Sequence, residues 1–148
     1  MRLALFQPDI PQNLGAAIRL CACLGVELDI IEPCGFPLSD QAIRRSAMDY
    51  GVLATVKRHD SWVAFRADPL RSKGRLVLMT TAGAGSLYDF SFGADDTLLM
   101  GRESAGVPEE IHAAADARIM IPMVSGARSL NVTTASAMAL GEALRQGR

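Results

Sequence analysis

The sequence predicts an α/β protein in which a parallel sheet carries helices on both faces. Short apolar runs alternate along the chain with segments of helical pattern, and neither a repeat nor a linker divides them. This alternation favours parallel strands, because each helix carries the chain back to the edge where the next strand begins. With 148 residues, of which 49% are hydrophobic and 21% charged, the chain suits one globular domain spanning 1–148.

Strands are predicted where apolar residues lie between turn-forming residues. In chain order, the predicted strands are 2–6, 27–31, 53–56, 75–80, 97–100 and 117–121. The first of them is followed at once by Pro8 and Pro11, which interrupt regular structure. All of these segments are short, as strands in globular proteins usually are.

Helices are predicted between the strands from capping residues and apolar spacing. The predicted helices are 14–24, a helix that begins at Ser39 or Asp40, a short one that holds Trp62 and Phe65 in the core, one around His112, and 130–144. Asn13 is expected to open the first helix, and Gly25 is expected to end it. Ser129 is expected to cap the last helix, because its hydroxyl can accept a hydrogen bond from a free backbone N–H.

The composition argues against several classes of protein. No apolar run approaches the roughly 18 residues that a membrane span needs, and the first residues do not have the pattern of a signal peptide. We therefore expect a cytoplasmic protein without a membrane partner. The cysteines Cys21, Cys23 and Cys34 do not form the paired clusters of a zinc site, so no bound metal is expected.

The charge pattern weakly favours an anionic partner. The net charge is −1, but residues 40–75 hold eight basic and four acidic residues, and thirteen of the fifteen basic residues in the chain are Arg. Guanidinium groups suit bidentate contacts with phosphate. For any single arginine, a solvated charged surface is the simpler interpretation.

Three loops are expected to meet at one edge of the sheet, because the carboxyl ends of parallel strands lie together. They are Met79–Thr80–Thr81, Gly101–Arg102–Glu103 and Ile121–Pro122–Met123. This edge offers backbone groups, hydroxyls and a carboxylate, but no set of nucleophile, histidine and acid, since His59 and His112 are the only histidines of the sequence. A transferase whose cofactor brings its own electrophile, such as S-adenosylmethionine, needs only binding and orientation from the protein.

Three stretches together carry a family resemblance. They are QPDIPQNLGAAIR at 7–19, LLMGRESAGVPEE at 98–110 and IPMVSGARSLNVTTA at 121–135. Their motifs N-x₅-R, G-x-E-x-x-G-V-P and IPM…SLN, in this order and at comparable separations, resemble those of the SPOUT-superfamily RNA 2′-O-methyltransferases of the SpoU class. Among these enzymes, the chain is most similar to the small tRNA 2′-O-methyltransferases that act on the wobble nucleotide.

The resemblance implies a deep trefoil knot within about 76–148, with S-adenosylmethionine bound in the knotted loops and S-adenosylhomocysteine as the product. The positions that match cofactor-binding residues of the family are Met79, Gly101, Ile121, Ser129 and Leu130. The positions that match catalytic residues around the transferred methyl group are Asn13, Arg19, Glu103 and Asn131. The implied reaction is 2′-O-methylation of the ribose of C34 or a modified U34 in tRNA.

The resemblance also implies an obligate homodimer that binds the anticodon stem-loop of tRNA. Arg19 is expected to reach across the dimer to the cofactor of the partner subunit and to grip a phosphate there. It is a poor base, because a guanidinium keeps its proton in proteins. Further RNA contacts are expected from the basic residues Arg44, Arg45, Lys57 and Arg58.

Three positions depart from the family pattern. Arg102 stands where relatives often have Pro or Ser, Thr134 where a second Asn is more common, and Leu140 where a similar type of enzyme carries Tyr. The alternatives to wobble methylation are another 2′-O site on tRNA or rRNA, a non-catalytic RNA-binding module with the same fold, and a small-molecule α/β enzyme.

Overall fold

The structure is a computed structural model that describes residues 1–47, 53–82 and 84–147. Within these residues, seven strands form one sheet in which all neighbouring strands are parallel. The strands are β1 (Arg2–Phe6), β2 (Glu27–Ile31), β3 (Val56–His59), β4 (Leu76–Met79), β5 (Gly85–Ser86), β6 (Thr97–Met100) and β7 (Ala117–Met120). Their order across the sheet is β3-β2-β1-β6-β4-β7-β5, which places β6 at the centre.

The described part of the chain contains five α-helices. They are α1 (Pro11–Leu24), α2 (Asp40–Ala47), α3 (Trp62–Ala67), α4 (Glu109–Ala114) and α5 (Val132–Gln146). Short 3-10 turns occur at Arg71–Lys73 and Leu87–Asp89. None of the helices formed by the described residues is both long and apolar enough to cross a membrane.

The apolar side chains of the central strands β1, β6 and β4 alternate between two layers, one on each face of the sheet. On one face of the sheet, Leu3 of β1 lies in a cluster with Ile18 of α1 and Leu140 of α5. On the other face, Ala4 lies in a cluster with Phe65 of α3, to which α4 also contributes. All five of these residues have 0% exposed surface. Helices therefore cover both faces of the sheet, which confirms the predicted α/β architecture.

The third strand does not lie where the sequence predicts it. A strand is predicted at 53–56, but β3 begins only at Val56, and Leu53 is 65% exposed. Because β3 is at the edge of the sheet, its exposed Lys57 and Arg58 are tolerated, and a search for an apolar run misplaces it. The two-residue strand β5 is absent from the prediction, since a glycine and a serine carry no strand pattern.

The first helix begins earlier than predicted. α1 starts at Pro11 after Ile10, so Asn13 lies in its first turn and is not its cap. Proline suits the first turn of a helix, because the N–H groups there have no intrahelical partner. The side chain of Asn13 is thereby available for contacts outside the helix. Gly25 ends the helix with a φ of 66°, as predicted.

The last helix also has a different cap. α5 begins at Val132, and Asn131, not Ser129, is its N-cap. The Oδ1 atom of Asn131 accepts hydrogen bonds from the backbone N–H groups of Thr133 at 2.9 Å and Thr134 at 3.2 Å. Asparagine and serine are comparable caps, so local propensity could not decide between two candidates only two positions apart.

Candidate active site

A cavity of about 610 Å³ opens at the carboxyl edge of the sheet, where the loops after β4, β6 and β7 meet. Its lining includes residues of all three loops expected there: Met79, Thr80, Thr81, Gly101, Arg102, Glu103, Ile121 and Met123. The first turns of α1 and α5, His112 of α4 and the segment before α5 also contribute to the wall. The predicted convergence of the loops is therefore confirmed, and the volume lies within the roughly 300–1,000 Å³ of small-molecule sites.

Three of the predicted catalytic residues form a chain of hydrogen bonds at this cavity. Asn131 donates through Nδ2 to Oδ1 of Asn13 at 2.9 Å, and Asn13 donates through its own Nδ2 to Oε1 of Glu103 at 3.0 Å. Thr133 reinforces the chain through a hydrogen bond of 3.1 Å from its hydroxyl to the backbone oxygen of Asn13. These residues come from three separate segments, so the cluster exists only when the chain is folded.

Asp9, which the sequence analysis does not single out, supports Glu103 from the loop after β1. Its backbone N–H donates to Oε2 of Glu103 at 3.0 Å, and its carboxylate accepts a hydrogen bond from the hydroxyl of Ser104. A Cβ atom at Gly35 would lie 2.6 Å from Cβ of Asp9, so this approach requires glycine. The signal that could have identified Asp9 is its position just after a strand that ends at the same edge.

The pKa values of the Glu103 and Asp9 carboxyl groups are shifted in opposite directions. Burial raises the pKa of Glu103 above its ordinary value, and the neighbouring Asp9 carboxyl adds to this effect. The interaction with Glu103, together with the hydrogen bonds from Ser104, lowers the pKa of Asp9. As the pH falls, Glu103 therefore takes up a proton before Asp9 does.

Glu103→Gln is expected to change how stability depends on pH. Because the pKa of Glu103 is raised on folding, the stability contributed by its neutral form is present below the ordinary 4.5 and is lost as the pH rises through the raised value. The thermal midpoint of the wild type, relative to that of Glu103→Gln, should therefore decrease as the pH is raised from about 4.5, the ordinary pKa, through the raised pKa of Glu103. A difference that stays constant over this range would contradict the assigned shift.

Gly101 and Gly106 bring the two ends of the loop after β6 into contact. A Cβ atom at Gly101 would lie 2.8 Å from the carbonyl carbon of Gly106 and 2.9 Å from its Cα. Arg102 and Gly106 exchange backbone hydrogen bonds of 2.9 and 2.8 Å, and Gly106 has a left-handed φ of 65° that favours glycine. The loop therefore keeps a narrow, well-defined shape at the rim of the cavity.

The predicted cofactor positions all line the cavity: Met79, Gly101, Ile121, Ser129 and Leu130. Ile121 is buried, whereas Leu130 is 40% exposed at the mouth. Arg19 is the predicted site residue that the fold does not bring to this cavity. It is exposed on α1 and is not among the residues that line the cavity of its own chain.

Among the described residues, no histidine at the cavity is hydrogen-bonded to a hydroxyl or thiol that could serve as a nucleophile. Burial raises the pKa of the Cys21 thiol to about 12 and that of Cys34 to about 11, so neither is a ready nucleophile. His112, expected at the surface, lines the cavity, but His59 is buried elsewhere with its Nε2 2.7 Å from Oδ1 of Asp29. Over the described ranges, no group of three or more histidine, cysteine, aspartate or glutamate side chains is placed to hold a metal ion.

Two of the four basic residues expected to contact RNA are engaged within the chain. Arg58 forms ion pairs with two carboxylates at 2.8 and 3.0 Å, and Lys57 forms one with Asp68. Both side chains would have to leave these partners in order to bind phosphate. Arg45 is exposed on α2, and the side chain of Arg44 lies outside the described structure.

The chain is similar to known methyltransferases in sequence and in structure. The SpoU rRNA Methylase family matches residues 1–141. The tRNA (cytidine(34)-2'-O)-methyltransferase of Beijerinckia indica subsp. indica is 60% identical over 144 residues, which cover 97% of this chain and 90% of the relative. A solved structure concerned with the 2-OH methylation of C/U34 on tRNA has a TM-score of 0.89 and 41% identity, and the match covers 99% of this chain and 97% of that one. The SpoU methyltransferase AviRb from Streptomyces viridochromogenes, solved with AdoMet, has a TM-score of 0.82 and 28% identity, covering 99% of this chain and 60% of that one.

Proposed function

Because the chain belongs to the SpoU rRNA Methylase family, we propose that it transfers the methyl group of S-adenosylmethionine to the ribose 2′-hydroxyl of the wobble nucleotide of tRNA, C34 or a modified U34. The observation that carries this proposal is the chain of hydrogen bonds from Asn131 through Asn13 to Glu103 at the wall of a cavity of cofactor size. The Beijerinckia relative is named for this reaction, which supports tRNA over rRNA as the substrate. Since the substrate is tRNA, we expect the enzyme to act in the cytoplasm.

The cofactor site lies on the apolar side of the cavity in this proposal. Met79, Ile121 and Leu130 would pack against the adenine, while the tight turn at Gly101 would let backbone groups approach it closely. Ser129 adds a hydroxyl to the wall. These apolar side chains, backbone groups and the hydroxyl therefore fit S-adenosylmethionine, which supplies an activated methyl group when bound.

Gly101→Ala is expected to weaken the binding of S-adenosylmethionine by at least about tenfold. The added methyl group would overlap the backbone of Gly106, so the rim loop has to open and its backbone groups move away from the cofactor. Isothermal titration calorimetry with S-adenosylmethionine measures the loss. Gly141→Ala is the control, because nothing lies within 4 Å of a Cβ atom there. Equal affinities of the two variants would contradict the role given to this loop.

The hydrogen-bonded cluster would orient the ribose. Glu103 accepts hydrogen bonds from Asn13 and from the backbone of Asp9 at its two oxygens, so its carboxyl group is held in one orientation. Amide and carboxyl groups fixed in this way can hold a ribose hydroxyl in line with the methyl group. The hydroxyl has to lose its proton as the new C–O bond forms. We assign the proton to a phosphate oxygen of the substrate or to water, since a guanidinium does not accept it.

A homodimer is part of the same proposal. Arg19 does not line the cavity of its own chain, which supports a role for it at the reacting ribose of a second copy. From the partner subunit, its planar guanidinium would grip the phosphate next to the target ribose. The dimer would also present a wider surface to the anticodon stem-loop, the part of tRNA that we propose is bound.

We further propose that residues 76–148, which carry the cofactor positions, form a deep trefoil knot within a single domain of residues 1–148. Family membership is the main support. Contacts between the end of α5 and the segment before β6 add to it. Gln146 accepts a hydrogen bond from the backbone N–H of Phe92 at 2.8 Å and donates one to the carbonyl of Phe90 at 2.9 Å. A C-terminal helix drawn through the loop between β4 and β6 would make such contacts.

The proposed activity is tested by methyl transfer in vitro. The purified protein is incubated with methyl-labelled S-adenosylmethionine and either total tRNA, from a strain that lacks wobble ribose methylation, or rRNA. Label on the ribose of nucleotide 34, mapped by nuclease digestion and mass spectrometry, is the expected result. Label on another ribose of tRNA or on rRNA would support 2′-O-methyl transfer but contradict nucleotide 34 of tRNA as the substrate. Cofactor binding without transfer to either RNA would contradict the proposal.

A further inference from the structure

We infer that Arg102 binds a backbone phosphate of the RNA substrate beside the target ribose. This inference rests on the proposed function and adds an anchoring residue within the cavity of the same chain. Arg102 follows β6 directly and lines the cavity next to Glu103. Its role is to position the substrate, and no covalent step is assigned to it.

The side chain of Arg102 is held in place before any ligand binds. Its backbone is fixed by the exchanged hydrogen bonds with Gly106 at 2.9 and 2.8 Å. Its Nη2 atom donates to Oε1 of Gln7, and its guanidinium carbon lies 5.8 Å from the centre of the Phe6 ring. A long side chain that is already ordered loses less conformational entropy on binding, so it can contribute more to affinity.

In the described part of the chain, no carboxylate lies within ion-pair distance of the Arg102 guanidinium. Among the described residues that line the cavity, Arg102 is the only one with a permanent positive charge. Arg2, Arg58 and Arg75 all form salt bridges with carboxylates, whereas Arg102 forms none with any described residue. The partner of its guanidinium is the neutral amide of Gln7. A cation at a ligand cavity whose protein partner is neutral is suited to an anionic ligand.

The position of Arg102 in the sheet favours RNA over the cofactor as the source of that anion. β6 lies between β1 and β4. Arg102 contacts Phe6 and Gln7 at the end of β1, while the cofactor positions Met79 and Ile121 lie at the ends of β4 and β7, on the other side of β6. The side towards β1 is also where Asn13 and Glu103 would hold the ribose. Each ribose of RNA carries a phosphate on either side, and guanidinium binds phosphate through two parallel hydrogen bonds.

The experiment measures the affinity of tRNA for the whole chain saturated with S-adenosylhomocysteine, over a series of salt concentrations. Arg102→Ala is compared with Arg118→Ala, which removes the same charge from an exposed position of β7 that does not line this cavity. Arg102→Ala should raise the Kd for tRNA by about tenfold and reduce the slope of log Kd against log salt by about 0.7, the value for one phosphate contact to a single strand. Arg118→Ala should stay within about twofold of the wild type.

Two further variants separate charge from geometry. Arg102→Lys keeps the charge but loses the planar fork, so it should recover only part of the affinity. Gln7→Ala keeps the cation but removes its tether, and should weaken tRNA binding less than Arg102→Ala does. In all variants, the Kd for S-adenosylmethionine should stay within about twofold of the wild-type value.

Two outcomes would overturn the inference. Equal tRNA affinities and salt slopes for Arg102→Ala and Arg118→Ala would show that Arg102 only supports the structure around Phe6 and Gln7. A loss of affinity for S-adenosylmethionine with unchanged affinity for tRNA would assign Arg102 to the cofactor carboxylate. Methyl transfer by the wild type is measured separately, and its absence would contradict the proposed function but leave the binding comparison to decide on Arg102.

Discussion

Arg19→Ala is expected to lower kcat for methyl transfer by at least about 100-fold while the Kd for S-adenosylmethionine stays within about twofold. The phosphate grip proposed for Arg19 acts on the RNA and orients the ribose, so cofactor binding should be spared. Arg19 is exposed on α1, and the fold should tolerate its replacement. Arg19→Lys should also lose most of the activity, because lysine lacks the planar fork. Turnover near the wild-type level in Arg19→Ala would contradict the assignment.

Mixed dimers decide whether Arg19 acts across the subunit interface. A dimer of one Arg19→Ala chain and one Glu103→Ala chain contains one site with both wild-type residues only if Arg19 comes from the partner subunit. Such a dimer, isolated through a different tag on each chain, should have about half of the wild-type activity. If Arg19 serves its own chain, both sites are defective and the mixed dimer is inactive. Failure of the two chains to associate at all would contradict the proposed homodimer.

Glu103→Ala is expected to reduce the single-turnover rate of methyl transfer by roughly 100-fold, with the cofactor saturating. Glu103 accepts hydrogen bonds from Asn13 and from the backbone of Asp9, and its removal leaves both donors without these acceptors. Asn13 would then no longer hold one orientation towards the ribose. Affinity for S-adenosylmethionine should change little, since the cofactor positions on the apolar side of the cavity are untouched.

Glu109→Ala is the matched control for Glu103→Ala, because it removes an exposed carboxylate from the first turn of α4 and should leave the rate unchanged. Asn13→Ala should lower the rate by a factor similar to that of Glu103→Ala. The two residues act through one hydrogen bond, so the double variant should be little worse than either single one. A normal single-turnover rate in Glu103→Ala, or strictly additive losses, would contradict a cluster that works as a unit.

The sequence predicts those elements of the fold that have their own local pattern, such as an apolar run for a buried strand. The inner strands β1, β2, β4, β6 and β7 lie within one residue of their predicted bounds, because inner strands of a sheet that is covered by helices on both faces are mostly apolar. The predicted position of the edge strand β3 is wrong, because an edge strand can carry exposed lysine and arginine and so has no continuous apolar pattern. The meeting of three loops in one cavity followed from a topological rule, which depends on the alternation of elements and not on details of packing.

The partners of the site residues could not be predicted in this way. Asn131 and Asn13 are 118 positions apart, and Glu103 and Asn13 are 90 positions apart, so no local pattern links them. The role of Asp9 could not be identified from the sequence for the same reason, because its support of Glu103 depends on the approach of two distant loops. Ser129 and Asn131 have similar propensities as helix N-caps. Only the path of the chain between β7 and α5 makes Asn131 the N-cap of α5.

The sequence by itself determined the parallel α/β architecture, the edge of the sheet that carries the site, and the family, since periodicity, capping residues and ordered motifs are properties of the chain read in one direction. The tertiary structure decided which side chains meet there. It joined Asn131, Asn13 and Glu103 into one chain of hydrogen bonds and placed Asp9 behind Glu103. It also placed Arg102 at the cavity with Gln7 as its hydrogen-bond partner and without an ion pair to any described carboxylate. Hydrogen bonds and ion pairs depend on distances of a few ångströms between segments remote in sequence, and only packing sets those distances.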